Sequence, residues 1–197
     1  YMVGNIMIDS LLSNLEKYQS IKIREKLGIK GKKYATLTLH RPSNVDDVEI
    51  LRGIISAIIE ISEDIDVVFP IHPRTRINLE NTGLMETLYS IESIVLTEPL
   101  GYLDFMSLIS DSSVVLTDSG GLQEETTYLG IPCLTVREST ERPITVSEGT
   151  NKIIGCNKND ILREFRILDL DKERTLAKIK YWDGGTAERI ADIIMEQ

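Results

Sequence analysis

Residues 117–125, TDSGGLQEE, follow the apolar run 113–116 and lead straight into a segment that can be helical. That order reads as strand, tight turn, helix. Gly120 and Gly121 are expected to let the backbone turn sharply and leave several N–H groups facing outward at a helix N-terminus, where an anion such as a phosphate is favoured. Ser119 adds a hydroxyl, and Glu124 and Glu125 follow within a turn. A carboxylate there suits a ribose diol, as the acidic residue of dinucleotide sites does. The stretch thus reads as a nucleotide pocket, with an ordinary Gly-rich connection as the competing reading.

Five further short apolar runs lie around it, at 34–39, 66–71, 93–97, 132–136 and 152–154. Most are continuous rather than alternating, as strands buried on both faces should be. Helical patterns separate several of them, most clearly at 47–61, 102–110 and 122–129. Strand and helix in alternation predict an α/β fold with a parallel, Rossmann-like sheet between two helical layers. Helical spacing is also expected over 6–27, closed by Gly28 and Gly31, and from 159 onward, ending in an amphipathic helix over 186–195. No repeat or Pro/Ser-rich linker divides the chain, so residues 1–197 are expected to form one domain.

Ligands of an open parallel sheet gather at the carboxyl ends of its strands. Those ends carry His40 and Arg41, His72, Pro73 and Arg74, Glu98, Asp118 and Ser119, and Arg137 and Glu138. Both histidines of the chain fall on this edge.

The bulk numbers bound the function. A chain of 197 residues can bury a core without staples. A formal charge of −9 argues against a general nucleic-acid binder. Cys133 and Cys156 lack metal-ligand spacing and read as reduced thiols in a cytoplasmic protein, with no metal site expected. No apolar run approaches the length that spans a bilayer, so no membrane partner is expected. The opening Tyr1 and Met2 run directly into VGNIMID, as a fragment would.

Taken together, VGNIMID near Val3, TLHRPSNVDD at 38–47, IHPRTR at 71–76, EPLGYLDF at 98–105, TDSGGLQEE, RESTERPITVSEGTN at 137–151 and YWDGGTAERI at 181–190 resemble the non-hydrolysing UDP-N-acetylglucosamine 2-epimerases. They stand in that family's order and cover nearly the whole chain. The resemblance implies the carboxyl-terminal half of a two-domain enzyme of GT-B architecture, a homodimer at full length, with a UDP-sugar as substrate and no cofactor.

Position by position, the resemblance implies that Ser119, Gly120, Gly121 and Arg142 hold the diphosphate and Glu125 the ribose. It places Phe105 against the uracil and His40 beside the sugar as a catalytic or positioning residue, and it assigns Arg41 and His72 to a regulatory site for a second UDP-sugar. For His40 and Phe105, the residues alone also allow a satisfied strand-end side chain and a core aromatic. One departure stands out: where the family often carries a glutamate followed by asparagine, this chain has Ser43 and Asn44.

The implied chemistry inverts C2 of the sugar by eliminating UDP to a 2-acetamidoglucal and adding it back from the other face. The carboxylates that the family uses as acid and base belong to an amino-terminal domain, whose motifs do not occur here, so the chain alone is expected to bind UDP and to lack turnover. A hydrolysing epimerase, a glycosyltransferase of the same architecture and a non-catalytic UDP-binding module remain as alternatives.

Overall fold

The structure, a computed structural model, describes residues 1–30 and 33–196. Six strands form one sheet: β1 (Tyr34–Thr38), β2 (Asp66–Pro70), β3 (Ile94–Thr97), β4 (Val114–Thr117), β5 (Cys133–Thr135) and β6 (Asn151–Ile153). All neighbours are parallel, in the order β3-β2-β1-β4-β5-β6. The helices are α1 (Ile6–Ser13), α2 (Leu15–Gln19), α3 (Ile23–Leu27), α4 (Pro42–Val45), α5 (Val48–Ile61) and α6 (Pro73–Asn81), followed by α7 (Leu84–Tyr89), α8 (Tyr102–Asp111), α9 (Gly120–Leu129), α10 (Pro143–Ser147), α11 (Lys158–Arg166) and α12 (Thr186–Met195).

Side chains alternate along each strand, and that alternation sorts them onto two helical layers. Ala35, Leu37, Val67, Phe69, Val114 and Leu116 face the core shared with α5 and α11, where Ile54, Ile58, Ile161 and Phe165 are buried. Val115 faces Leu11, Met106 and Leu122 of α1, α8 and α9, while Tyr34 and Val68 face Ile23 and Leu108. The expected Rossmann-like arrangement is therefore present. All six strand runs form strands, to within a residue or two at each end.

Two expected helices are different. The 6–27 segment is three short helices, because the Asn14 amide donates to the Ser10 carbonyl and Lys22 takes a non-helical conformation. Gly28 closes it with φ of 67°, and Gly31 lies outside the described residues. The pattern from 159 onward is helical only to Arg166 and again from Thr186. Between them the chain is irregular and is held by specific anchors: Arg174 donates to the carbonyls of Ser110 and Ser112, and the carbonyl of Thr175 passes over Gly130. The chain then returns to α1, where Asp9 accepts from the Ala187 N–H and Arg189 donates to the Val3 carbonyl.

Two glycines should respond oppositely to an added methyl. A Cβ at Gly149 would stand 2.4 Å from both Thr127 Oγ1 and the Thr145 carbonyl oxygen, whereas one at Gly53, in the middle of α5, meets nothing within 4 Å. Chemical denaturation is expected to show Gly149→Ala destabilised by about 1–3 kcal/mol and Gly53→Ala stabilised by about 0.5–1 kcal/mol.

Candidate functional site

Strand order reverses between β1 and β4: the chain leaves β1 toward β2 on one side and leaves β4 toward β5 on the other. In open parallel sheets, ligands gather outside the carboxyl ends of the strands at such a reversal. Thr38 and Thr117, paired in register, share a hydrogen bond of 2.6 Å there, and Thr117 Oγ1 also accepts from the Ser119 N–H at 2.9 Å. The start of the β4–α9 turn is thus fixed to the last pair of the ladder.

Asp118 lies at this edge and is fully buried. Its carboxylate accepts from the His40 N–H at 3.0 Å, the Arg41 N–H at 2.8 Å and Asn44 Nδ2 at 3.3 Å, and lies 2.7 Å from His40 Nδ1. Arg41 Nε in turn donates to the Asp118 carbonyl. Burial alone would push this carboxyl up, but the hydrogen bonds from the His40 ring and from the backbone of Arg41 and His40 outweigh it and hold the group below its ordinary value of 3.8. With Nδ1 directed at the carboxylate, Nε2 is the nitrogen His40 can offer to a ligand. Asn44 completes the tie by donating to the Val136 carbonyl beyond β5.

Ser119 is the N-cap of α9, yet its side chain makes no capping bond, so the first N–H groups of the helix stay available to an anion. The glycines act differently from the sequence expectation. Neither Gly120 nor Gly121 is among the glycines with positive φ; both sit in the first turn of α9. Their role is steric: a Cβ at Gly120 would have only Glu141 Oε2, at 4.0 Å, in reach, and one at Gly121 only Met7, at 3.5 Å. The bare surface lets a ligand approach the backbone closely.

Two adjacent carboxylates then take different roles. Glu124 pairs with Arg142, Oε1 to Nε at 3.0 Å, which brings the guanidinium of the 140–143 run against α9. Glu125 is buried and has no ion pair among the described residues. Burial first, then the charge of Glu124, pushes its carboxyl up to about 7, against a smaller lowering by a hydrogen bond from Tyr102. Tyr102 opens α8, and Phe105, one turn further, is half-buried against the Leu11–Met106–Leu122 cluster.

The structure therefore brings His40, Arg41, Ser119, Gly120, Gly121, Glu125 and Arg142 to one edge. His72, the N-cap of α6, adjoins them with its ring 5.7 Å from that of His40. Its Nδ1 accepts from the Arg74 N–H. Cys133 and Cys156 are free thiols, and among the described residues no group of three His, Cys, Asp or Glu side chains could hold a metal ion. No helix among the described residues is long and apolar enough to cross a membrane. Sequence reading had placed Asp118 at a strand end without a role and had passed over the roles of Asn44 and Gln123. Their side chains work by linking distant segments, which leaves no local signature.

The family model for UDP-N-acetylglucosamine 2-epimerase matches residues 1–195. The chain belongs to that family. It is 40% identical over 199 residues to the UDP-N-acetylglucosamine 2-epimerase of Methanocaldococcus jannaschii, across 98% of this chain and 54% of that protein. It is 35% identical to the UDP-2,3-diacetamido-2,3-dideoxy-D-glucuronate 2-epimerase of Pseudomonas aeruginosa, across 98% of this chain and 51% of that one. The crystal structure of the M. jannaschii enzyme in complex with UDP-GlcNAc and UDP superimposes with a TM-score of 0.90 at 39% identity, covering all of this chain and 55% of that one. The chain thus spans about half the length of these relatives.

Glu125 gives the site a pH signature. Its folded pKa of about 7 lies above the ordinary 4.5, so the folded chain holds a proton that the unfolded chain releases. Stability should therefore fall as pH rises from about 4.5 to about 7 and level off above. Glu125→Gln is expected to flatten that slope and to raise the melting temperature at about pH 8.

Proposed function

We propose that this chain is the UDP-binding half of a UDP-N-acetylglucosamine 2-epimerase. The observation that carries the reading is the uncapped, glycine-bare N-terminus of α9 at the strand-order reversal, with Arg142 held beside it. Backbone N–H groups at a helix start, with a guanidinium paired to the same helix, suit a diphosphate. The Ser119 hydroxyl joins them, Glu125 accepts from the ribose hydroxyls, and Phe105 lies against the uracil.

The sugar C2 proton is not acidic, so direct deprotonation would be very costly. Elimination avoids it: the C1–O bond to UDP breaks as the C2 proton leaves, giving a 2-acetamidoglucal, and re-addition of UDP with protonation from the opposite face inverts C2. Negative charge grows on the diphosphate as C1–O breaks. Donors already aimed at that position stabilise the transition state more than the ground state. His40, fixed by Asp118 with Nε2 open, faces the sugar end, and the acid and base for the C2 proton come from the other half of the enzyme. Arg41 and His72, one strand over, take a second UDP-sugar as a regulatory ligand. A cytoplasmic setting suits this nucleotide-sugar chemistry.

Calorimetric titration of the chain with UDP tests the reading. Arg142→Ala is expected to weaken binding about 10- to 100-fold and Ser119→Ala about 3- to 10-fold. His40→Asn keeps a donor toward Asp118, so it should leave UDP affinity within about twofold while abolishing epimerisation in a protein that contains both halves. A folded chain that does not bind UDP, or variants that bind as the wild type does, would refute the assignment of these residues.

A further inference from the structure

Gln123 lies in the first turns of α9 and is fully buried, although nothing in the chemistry above uses it. Its carboxamide joins three segments. Nε2 donates to the Ser119 carbonyl at 3.1 Å, which braces the turn before α9. Oε1 accepts from the Thr140 hydroxyl and from Asn151 Nδ2, the latter at 3.0 Å. From there the network reaches both sides of Arg142. Thr140 Oγ1 accepts from the Arg142 N–H at 2.9 Å, while Asn151 Nδ2 also donates to Thr145 Oγ1, whose hydroxyl donates to the Arg142 carbonyl at 2.7 Å. Thr135 closes the network by donating to Asn151 Oδ1.

Arg142 needs such support. It precedes Pro143 in a conformation that is neither helical nor extended, with φ of −124° and ψ of 60°, and its side chain is 44% exposed. Among the described residues, the guanidinium itself is held by Glu124 and by a long contact from Nη1 to the Glu141 carbonyl. Its backbone position is set by hydroxyls that Gln123 and Asn151 fix in turn. A buried network in which each polar group has its partner is stiff, and losing one member leaves the others unsatisfied.

We propose that Gln123 is a positioning residue that sets the distance between the Ser119 turn and Arg142, so that both meet the same diphosphate; this rests on the UDP reading above. Gln123→Met keeps the length and volume of the side chain and removes both the donor and the acceptor. The variant is expected to bind UDP about tenfold more weakly while binding uridine, which lacks the diphosphate, as the wild type does. In an Arg142→Ala background the same change should cost UDP little further affinity. Equal losses for UDP and uridine would mark a merely structural role and overturn the proposal, as would an unchanged UDP affinity.

Hydrogen exchange of the free chain judges the network without any ligand. Gln123→Met should accelerate exchange in segment 137–146, with the strands β1 and β4 protected as before. Unchanged exchange in 137–146 would overturn the proposal, as would a general loss of protection in both strands. Failure of the wild type to bind UDP, with that local acceleration present, would refute the ligand and leave the network standing.

Discussion

The candidate site depends on one buried carboxylate. Asp118 directly follows the central strand β4 and receives hydrogen bonds from the segment that follows the adjacent strand β1. A charge in that position would be costly if its partners were few. Here the His40 ring, two backbone N–H groups and an amide converge on it, and the Thr38–Thr117 hydroxyl pair sits just below. The sheet brings β1 and β4 side by side, and Asp118 converts that adjacency into a fixed geometry. His40, Arg41 and the Ser119 turn then stand as a unit. Because its folded pKa lies below the ordinary value, Asp118 contributes this stabilisation fully above about pH 4, and the contribution is lost as acid titrates the group through its lower folded value.

Charge on the far side of the site is arranged by a similar economy of partners. Glu124 and Glu125 are neighbours on α9, yet one neutralises Arg142 and the other, buried beside tyrosines, is raised toward neutrality. The difference comes from what each carboxylate faces. A helix N-terminus favours negative charge, but only the group that meets a cation or water keeps it readily. The same helix therefore pairs a start without a side-chain cap with a weakly acidic carboxyl further along.

Much of this was legible in the sequence because the signals were local. Continuous apolar runs mark strands covered on both faces, and the polar residues just after each run identify the ligand-binding edge without knowledge of strand order. The expected sharp turn at the glycines of 117–125 makes no demand for positive φ; what distinguishes them is the missing Cβ. The roles of Asp118, Asn44 and Gln123 were not legible, since each connects segments far apart in the chain. The irregular run between α11 and α12 is not legible for the same reason. Its conformation is set by Arg174 and by the approach to Gly130, and its own sequence pattern does not encode it.

In the proposed function a single anion site, formed by the first N–H groups of α9 and by Arg142, receives the diphosphate of UDP. The most direct test is an amide NMR spectrum of the chain recorded through a titration with UDP. The largest shifts are expected on the N–H groups of Ser119, Gly120, Gly121 and Leu122 and on Arg142, with smaller ones at His40 and Arg41. Shifts concentrated at the opposite, amino-terminal edge of the sheet, or none along α9, would contradict the proposed function.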